Sequence, residues 1–203
     1  MATRAAAVPP SRRLRDKERS PAQLRVLEAA LALFAEHGVS GTSLQMIADH
    51  MGVTKAAVYH QFKTKDEIVL AVAQHEFRHL EAALETAQRE PSKTKARAAL
   101  LVAVVDMAVA RRRWVRALQN DPVMIRLLAS DEELTFVLTQ IYGTLIGGST
   151  TPEARVSVAL LAGAMGVSLV HPLVVDLDDA TLRKALLKVA RRTFEIPGRP
   201  PGE

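Results

Sequence analysis

The chain has 203 residues, of which 48% are apolar and 4% aromatic, and it contains no cysteine. Abundant Ala, Leu, Arg and Glu, with few strand-forming aromatic residues, favour an all-α fold with a buried core. The lack of cysteine excludes disulfides, thiolate zinc sites and cysteine nucleophiles. The longest apolar run, residues 98–110, is shorter than the roughly 20 residues that span a bilayer. The basic N-terminus also lacks a secretory signal, so we expect a cytoplasmic protein without membrane contact.

The net charge of +5 is concentrated in the first third of the chain. Residues 1–65 contain 10 Lys and Arg against 5 Asp and Glu, whereas residues 66–203 contain 17 against 17. A basic segment beside a neutral one indicates contact with a polyanion. Much of the excess lies within residues 4–19, so charge alone fits a soluble tail equally well.

Capping signals predict four helices in the first half of the chain. Residues 1–19 show no periodicity and are predicted to be a flexible basic arm. Ser20 and Gln23 form a capping box around a proline that suits the first helical position, and Gly38 is the predicted stop. A second capping box, Thr42-Ser43-Leu44-Gln45, opens the next helix. The expected bounds of the four helices are 20–38, 42–51, 54–62 and 65–89.

The same signals predict four or five further helices, for about nine in all. Their expected bounds are about 93–113, 122–129, 130–146, 152–170 and 178–194, and residues 114–119 either extend the first or form a separate turn. Gly147 and Gly148 are expected to close one helix, and Asp178 to cap the last. No segment alternates as a strand would, and the Pro/Gly-rich residues 196–203 are predicted to be a flexible tail.

Two short helices joined by a tight glycine turn, with a longer helix before them, have the pattern of a helix-turn-helix. Val58 and Phe62, with Val53 just before, are predicted to form the buried side of the second short helix. The opposite face carries no carboxylate that would repel phosphate, and its members are Lys55, Ala56, Tyr59, His60 and Lys63. Thr42, Ser43, Thr54 and Lys65 lie at helix N-termini, which suit phosphate oxygens. Each cap alone also fits an ordinary helical bundle; together with the acid-free face they favour DNA binding.

Residues 21–70 resemble the tetracycline-repressor (TetR) family of regulators. The stretch that carries the resemblance is ALALFAEHGVSGTSLQMIADHMGVTKAAVYHQFKTKDEIVLA. The resemblance implies that Thr42, Tyr59, His60 and Lys65 bind phosphates and that Thr54, Lys55 and Ala56 approach base edges. It also implies a helix-turn-helix DNA-binding domain, expected at residues 20–65, and a divergent ligand-binding and dimerisation domain, expected at residues 66–195.

Helices that are apolar on more than one face can bury both a partner and a ligand. The helices at about 152–170 and 178–194 are the predicted homodimer surface, although a monomer that uses them for its own core stays possible. Large, adaptable apolar residues with a few polar tips are the candidate ligand-binding set, although plain core packing explains any one of them: Met107, Trp114, Met124, Leu128, Phe136 and Tyr142.

A competing motif lies in His75-Glu76-Phe77-Arg78-His79, which matches the H-E-x-x-H pattern of zinc proteases. The extended pattern needs a glycine and a third histidine, where this chain has Ala82 and Glu85. A zinc-dependent hydrolase is therefore the alternative hypothesis, and a solvated helix face is the preferred one. We expect no enzymatic activity, no cofactor and no metal site. The function predicted from sequence is a ligand-responsive repressor that binds a palindromic DNA operator as a dimer and is released by a small apolar or amphipathic effector.

Overall fold

The computed structural model describes residues 19–112, 122–169 and 171–193. The predicted all-α fold is confirmed there, since these ranges contain nine helices and no strand. The helices are α1 (Pro21–Gly41), α2 (Leu44–Met51), α3 (Lys55–Gln61), α4 (Lys65–Arg89), α5 (Lys93–Ala110), α6 (Pro122–Ser130), α7 (Glu132–Leu145), α8 (Pro152–Ser168) and α9 (Asp179–Thr193).

The starts of α1 and α9 follow the capping residues that the sequence predicts. The Ser20 hydroxyl accepts a hydrogen bond from the Gln23 backbone N–H at 3.2 Å, and the Gln23 side chain accepts one from the Ser20 N–H at 3.1 Å. The Asp178 carboxylate likewise accepts from the Thr181 N–H at 2.9 Å. Because such side chains satisfy N–H groups that a helix start leaves open, they fix the starting residues.

The end of α1 differs from its prediction. Gly38 has φ 73° and ψ 167°, a left-handed backbone that favours glycine, yet helix continues beyond it to Gly41. Gly38 therefore kinks α1 near its end and does not terminate it. Helix α5 stops at Ala110, before the predicted Arg113.

One compact unit contains, among the described residues, 19–78 and 122–135. Helices α1, α2 and α3 pack against one another, and α6 packs against α1. Side chains that are fully buried in this unit include Phe34, Ile47, Val58 and Ile68. This three-helix arrangement presents α3 at the surface, because one side of that short helix supplies the buried contacts.

The other compact unit contains described residues 79–112, 136–169 and 171–193, in which α9 packs against α5 and α8. Arg183 donates to both Asp106 carboxylate oxygens, at 2.5 and 3.1 Å, which raises the pKa of the guanidinium through this bond. Arg112 donates to the Val175 and Leu177 carbonyls, at 3.3 and 3.4 Å. These contacts fasten α5 to α9 and to the loop before it. Among the described helices, none has the length and apolarity to cross a bilayer.

Candidate nucleic-acid interface

Helix α3 is held in place by its first residue and by its buried side. The Thr54 hydroxyl accepts a hydrogen bond from the Ala57 N–H at 3.2 Å and so caps the helix. Val58 is fully buried and Phe62 is 5% exposed, as the sequence predicts. Val53 is 39% exposed, so its predicted burial is wrong. It lies in the turn after Gly52, where the left-handed φ of 66° directs the chain away from α2.

The opposite side of α3 faces solvent and carries no acid. Four of its five predicted members are exposed within α3: Lys55, Ala56, Tyr59 and His60. The fifth, Lys63, is also exposed, but its predicted place on the helix is wrong, because α3 ends at Gln61 and the backbone is extended at Phe62. The Lys63 ammonium lies 4.8 Å from the centre of the Tyr59 ring, within the range of a cation–π contact. Helix α3 contains no Asp or Glu. The face can therefore offer cations, a phenol and an imidazole to a polyanion without a repelling charge within the helix.

Helix α2 begins one residue later than predicted, because its N-cap is Ser43 and not Thr42. The exposed Ser43 hydroxyl accepts from the Met46 N–H at 3.2 Å. The predicted capping box with Gln45 is wrong, since the Gln45 amide donates to Asp49 at 2.7 Å. The start of α2 still presents open backbone N–H groups beside an exposed serine, an arrangement that suits a phosphate.

Thr42 belongs to the end of α1 and is 2% exposed. Its hydroxyl oxygen lies 2.8 Å from the Gly38 carbonyl oxygen and 3.3 Å from that of Leu33, so its hydrogen is donated inward. The structure therefore places this predicted phosphate-binding side chain in the core, where it stabilises the kinked end of α1.

Lys65 is half-buried at the start of α4. Its ammonium donates to the backbone carbonyls of Val39, at 2.9 Å, and Thr42, at 3.0 Å. The sequence does not show this contact, because the partners lie 26 and 23 residues away. One signal could have indicated it: the last turn of α1 contains no basic residue, so its open carbonyls favour a cation from elsewhere in the chain.

The zinc-hydrolase alternative gains no support from the structure. Glu76 is 4% exposed, and the Arg78 guanidinium lies 2.5 Å from His75 Nδ1. No group of three metal-ligating side chains is found within the ranges that the structure covers. A metalloprotease needs a third ligand and an accessible Glu to activate water.

The structure describes the side chains of three of the six candidate ligand-binding residues. Met107, Phe136 and Tyr142 are half-buried in the second compact unit, and burial raises the pKa of the Tyr142 phenol. Trp114 lies outside the described residues, as do the side chains of Met124 and Leu128 on α6. The described three combine apolar bulk with one hydroxyl.

Sequence comparison relates this geometry to a known family. The model of the family described as bacterial regulatory proteins, tetR family, matches residues 26–72, which include α2, α3 and the start of α4. The HTH-type transcriptional regulator BetI of Brucella suis is 27% identical over 194 residues, covering 88% of this chain and 93% of BetI. The chain therefore resembles TetR-family regulators.

Solved structures of TetR-like regulators share the fold over most of the chain. FadR of Bacillus subtilis, solved in complex with stearoyl-CoA, superposes with a TM-score of 0.63 at 16% identity, covering 87% of this chain and 99% of FadR. NalD of Pseudomonas aeruginosa, the secondary repressor of the MexAB-OprM efflux pump, superposes with a TM-score of 0.61 at 23% identity, covering 85% of this chain and 94% of NalD. At these identities the similarity shows the fold alone.

Proposed function

We propose that this TetR-like chain represses transcription by binding a palindromic operator as a homodimer and leaves it when a small apolar or amphipathic effector binds. The observation that carries the proposal is the exposed, acid-free face of α3, locked outward by buried Val58 and Phe62. Repression is proposed over activation because NalD, which shares the fold, is a repressor.

The proposed DNA contacts divide by position on α3. Thr54, Lys55 and Ala56 lie at its first turn, where a recognition helix meets base edges. Tyr59, His60 and Lys63 are proposed to bind phosphates, together with Ser43 and the open N–H groups of α2. Because Thr42 is buried, its contribution is proposed to be the shape of the turn before α2.

The proposed dimer surface is an exposed apolar stripe on α8 and α9. Val156, Leu160 and Val167 are 55–62% exposed and recur along one face of α8, and Val189 on α9 is 62% exposed. An unpartnered stripe of this kind fits a second copy of the chain, because symmetric dimers use the same patch on both subunits. Val158, Leu169 and Leu182 of the same region are buried within the protomer and so complete its own core.

The proposed effector acts by changing the spacing of the two recognition helices. A small movement of α4, which follows the helix-turn-helix directly, would alter that spacing. The effector shifts the equilibrium only by the difference between its affinities for the two states. Met107, Phe136 and Tyr142, with Trp114, Met124 and Leu128, are the proposed ligand-binding residues. The stearoyl-CoA complex of FadR supports an amphipathic class of ligand.

DNA binding is tested by selecting sequences from a randomised duplex pool with the full-length chain and measuring affinity for the selected sites in rising salt. We expect the selected site to be palindromic. The logarithm of the binding constant should fall steeply with the logarithm of the salt concentration, with a slope of about −0.9 for each phosphate contact. The double variant Tyr59→Ala, Lys63→Ala should bind more weakly and with a flatter slope, and Lys95→Ala, an exposed lysine on α5, should match the unaltered chain. If no sequence is enriched, or the double variant binds normally, the proposal fails.

Dimerisation is tested by sedimentation of matched charge substitutions. Leu160→Glu and Val189→Glu place carboxylates in the proposed stripe and should yield monomers at micromolar concentration. Leu24→Glu, at an apolar α1 residue that is 38% exposed, should leave the mass unchanged. A dimer that survives both stripe substitutions would move the interface elsewhere.

A further inference from the structure

Lys65 supplies a positive charge to the end of a different helix. Its ammonium lies 2.9 Å from the Val39 carbonyl oxygen and 3.0 Å from that of Thr42, at the C-terminal end of α1. The last turn of α1 contains no basic residue of its own. Open carbonyls and the negative end of the helix dipole favour a cation there. Lys65 provides it from the first residue of α4.

This contact connects the entry of the helix-turn-helix to α4. The Thr42 carbonyl belongs to the peptide that joins Thr42 to Ser43, the N-cap of α2. On the other side, the first turn of α4 is capped by the Thr64 hydroxyl, which accepts from the Glu67 N–H at 3.1 Å. Ile68 anchors the same turn, because it is fully buried. The lysine therefore fastens a fixed turn of α4 to the point where α2 begins.

The donors of the ammonium are largely used within the protein. A lysine ammonium has three N–H donors, and two of them serve the carbonyls of Val39 and Thr42. At most one donor remains for a DNA phosphate. Lys63 differs, since it is exposed and lies over the Tyr59 ring on the outer face.

We propose that Lys65 is a positioning residue that sets the orientation of α2 and α3 relative to α4, and so selects the distance between operator half-sites. The inference rests on the proposed function, since orientation matters when two recognition helices must reach half-sites about 34–36 Å apart. Without the two bonds, the turn between α1 and α2 is released from α4. Each recognition helix then reaches a wider range of positions.

The test measures spacing preference with the full-length chain. Selected half-sites are separated by the native spacer and by spacers one or two base pairs shorter or longer. Lys65→Met should lower the preference for the native spacer by about tenfold, and Lys65→Arg, which keeps charge and donors, should restore much of it. Lys63→Met should weaken binding to every spacer alike and reduce the salt slope by about 1. An unchanged spacing preference in Lys65→Met overturns the inference, whatever its salt slope.

A second measurement keeps the inference distinct from the proposed function. Hydrogen exchange of the free chain should rise in residues 42–47 for Lys65→Met and stay unchanged for Lys63→Met, with helix content verified by circular dichroism. If Lys65→Met fails to fold, Lys65→Gln, which keeps two N–H donors, takes its place. Its hydrogen exchange in residues 42–47 should lie between the values expected for Lys65→Met and Lys63→Met. Unchanged exchange in both Lys65 variants overturns the positioning role. Failure of the unaltered chain to select any DNA would instead defeat the proposed function and leave this result to stand.

Discussion

The buried amide of Gln74 on α4 makes a quantitative prediction. Its oxygen accepts from the Arg19 guanidinium at 2.9 Å, and its nitrogen donates to the Asp131 carboxylate at 2.9 Å. Gln74 is 7% exposed, and the Asp131 carboxylate also caps α7 by accepting from the Leu134 N–H at 2.8 Å. The amide therefore links the start of α1, the middle of α4 and the start of α7.

Gln74→Leu removes both hydrogen bonds while keeping the volume of the side chain similar. A hydrogen bond to a charged group contributes about 1.5–3 kcal/mol. Arg19 and Asp131 are half-exposed, so water replaces part of what each loses. We expect the free energy of unfolding to fall by about 3 kcal/mol, the lower end for two such bonds. Burial already lowers the pKa of Arg19, with repulsion from Arg78 adding to it, so the charged guanidinium depends on the acceptor that Gln74→Leu removes.

The assay is urea unfolding at one fixed protein concentration, because dimer formation shifts apparent stability. Gln45→Leu is the matched control: the Gln45 amide also donates to a carboxylate, Asp49, at 2.7 Å, but both residues are exposed on α2. The control should change stability by less than about 0.5 kcal/mol. Equal effects of Gln74→Leu and Gln45→Leu would show that burial does not make this network stabilising.

Two further predictions concern backbone strain and pH. Gly38→Ala should destabilise by about 1–3 kcal/mol in thermal unfolding, because an alanine is strained at φ 73°; Gly41→Ala, whose added Cβ would make an ordinary 3.5 Å contact, should have little effect, and equal effects would contradict the strain. Hydrogen bonds from the Thr181 backbone N–H, the larger effect, and from the Thr181 hydroxyl hold the pKa of Asp178 below its usual range. This stabilisation is present above the unfolded pKa of about 3.9 and is lost as pH falls through the folded pKa. Asp178→Asn should therefore make the melting temperature less sensitive to acid than the unaltered chain, and identical acid profiles would count against the contact.

Local signals in the sequence predicted the fold well. Caps such as Ser20, Thr54 and Asp178 act within three residues of their own position, so their spacing alone indicates the helix starts. The kink at Gly38 was missed because a glycine can either end a helix or interrupt it, and the choice depends on what the following residues contact. Val39 is fully buried just beyond the kink and holds the continuing turn against the core.

The exposure of the candidate DNA-binding residues was predictable only where a helical period defines a face. On α3, buried Val58 implies that Tyr59 faces outward, as the structure shows. The positions of Thr42 and Lys65 depend on partners far along the chain or buried in the core, which periodicity does not reveal. The candidate effector residues depend in the same way on three-dimensional packing.

In the proposed function, the outer face of α3 lies in a groove of the operator. The most direct measurement replaces Tyr59 with the photo-crosslinker p-benzoylphenylalanine and maps the cross-linked nucleotides on a selected duplex. We expect two cross-link positions related by the operator symmetry and separated by about one helical turn, 10–10.5 base pairs, or a multiple of it. Cross-links absent from Tyr59 but present from the same replacement at Val189 on α9 would contradict this proposal.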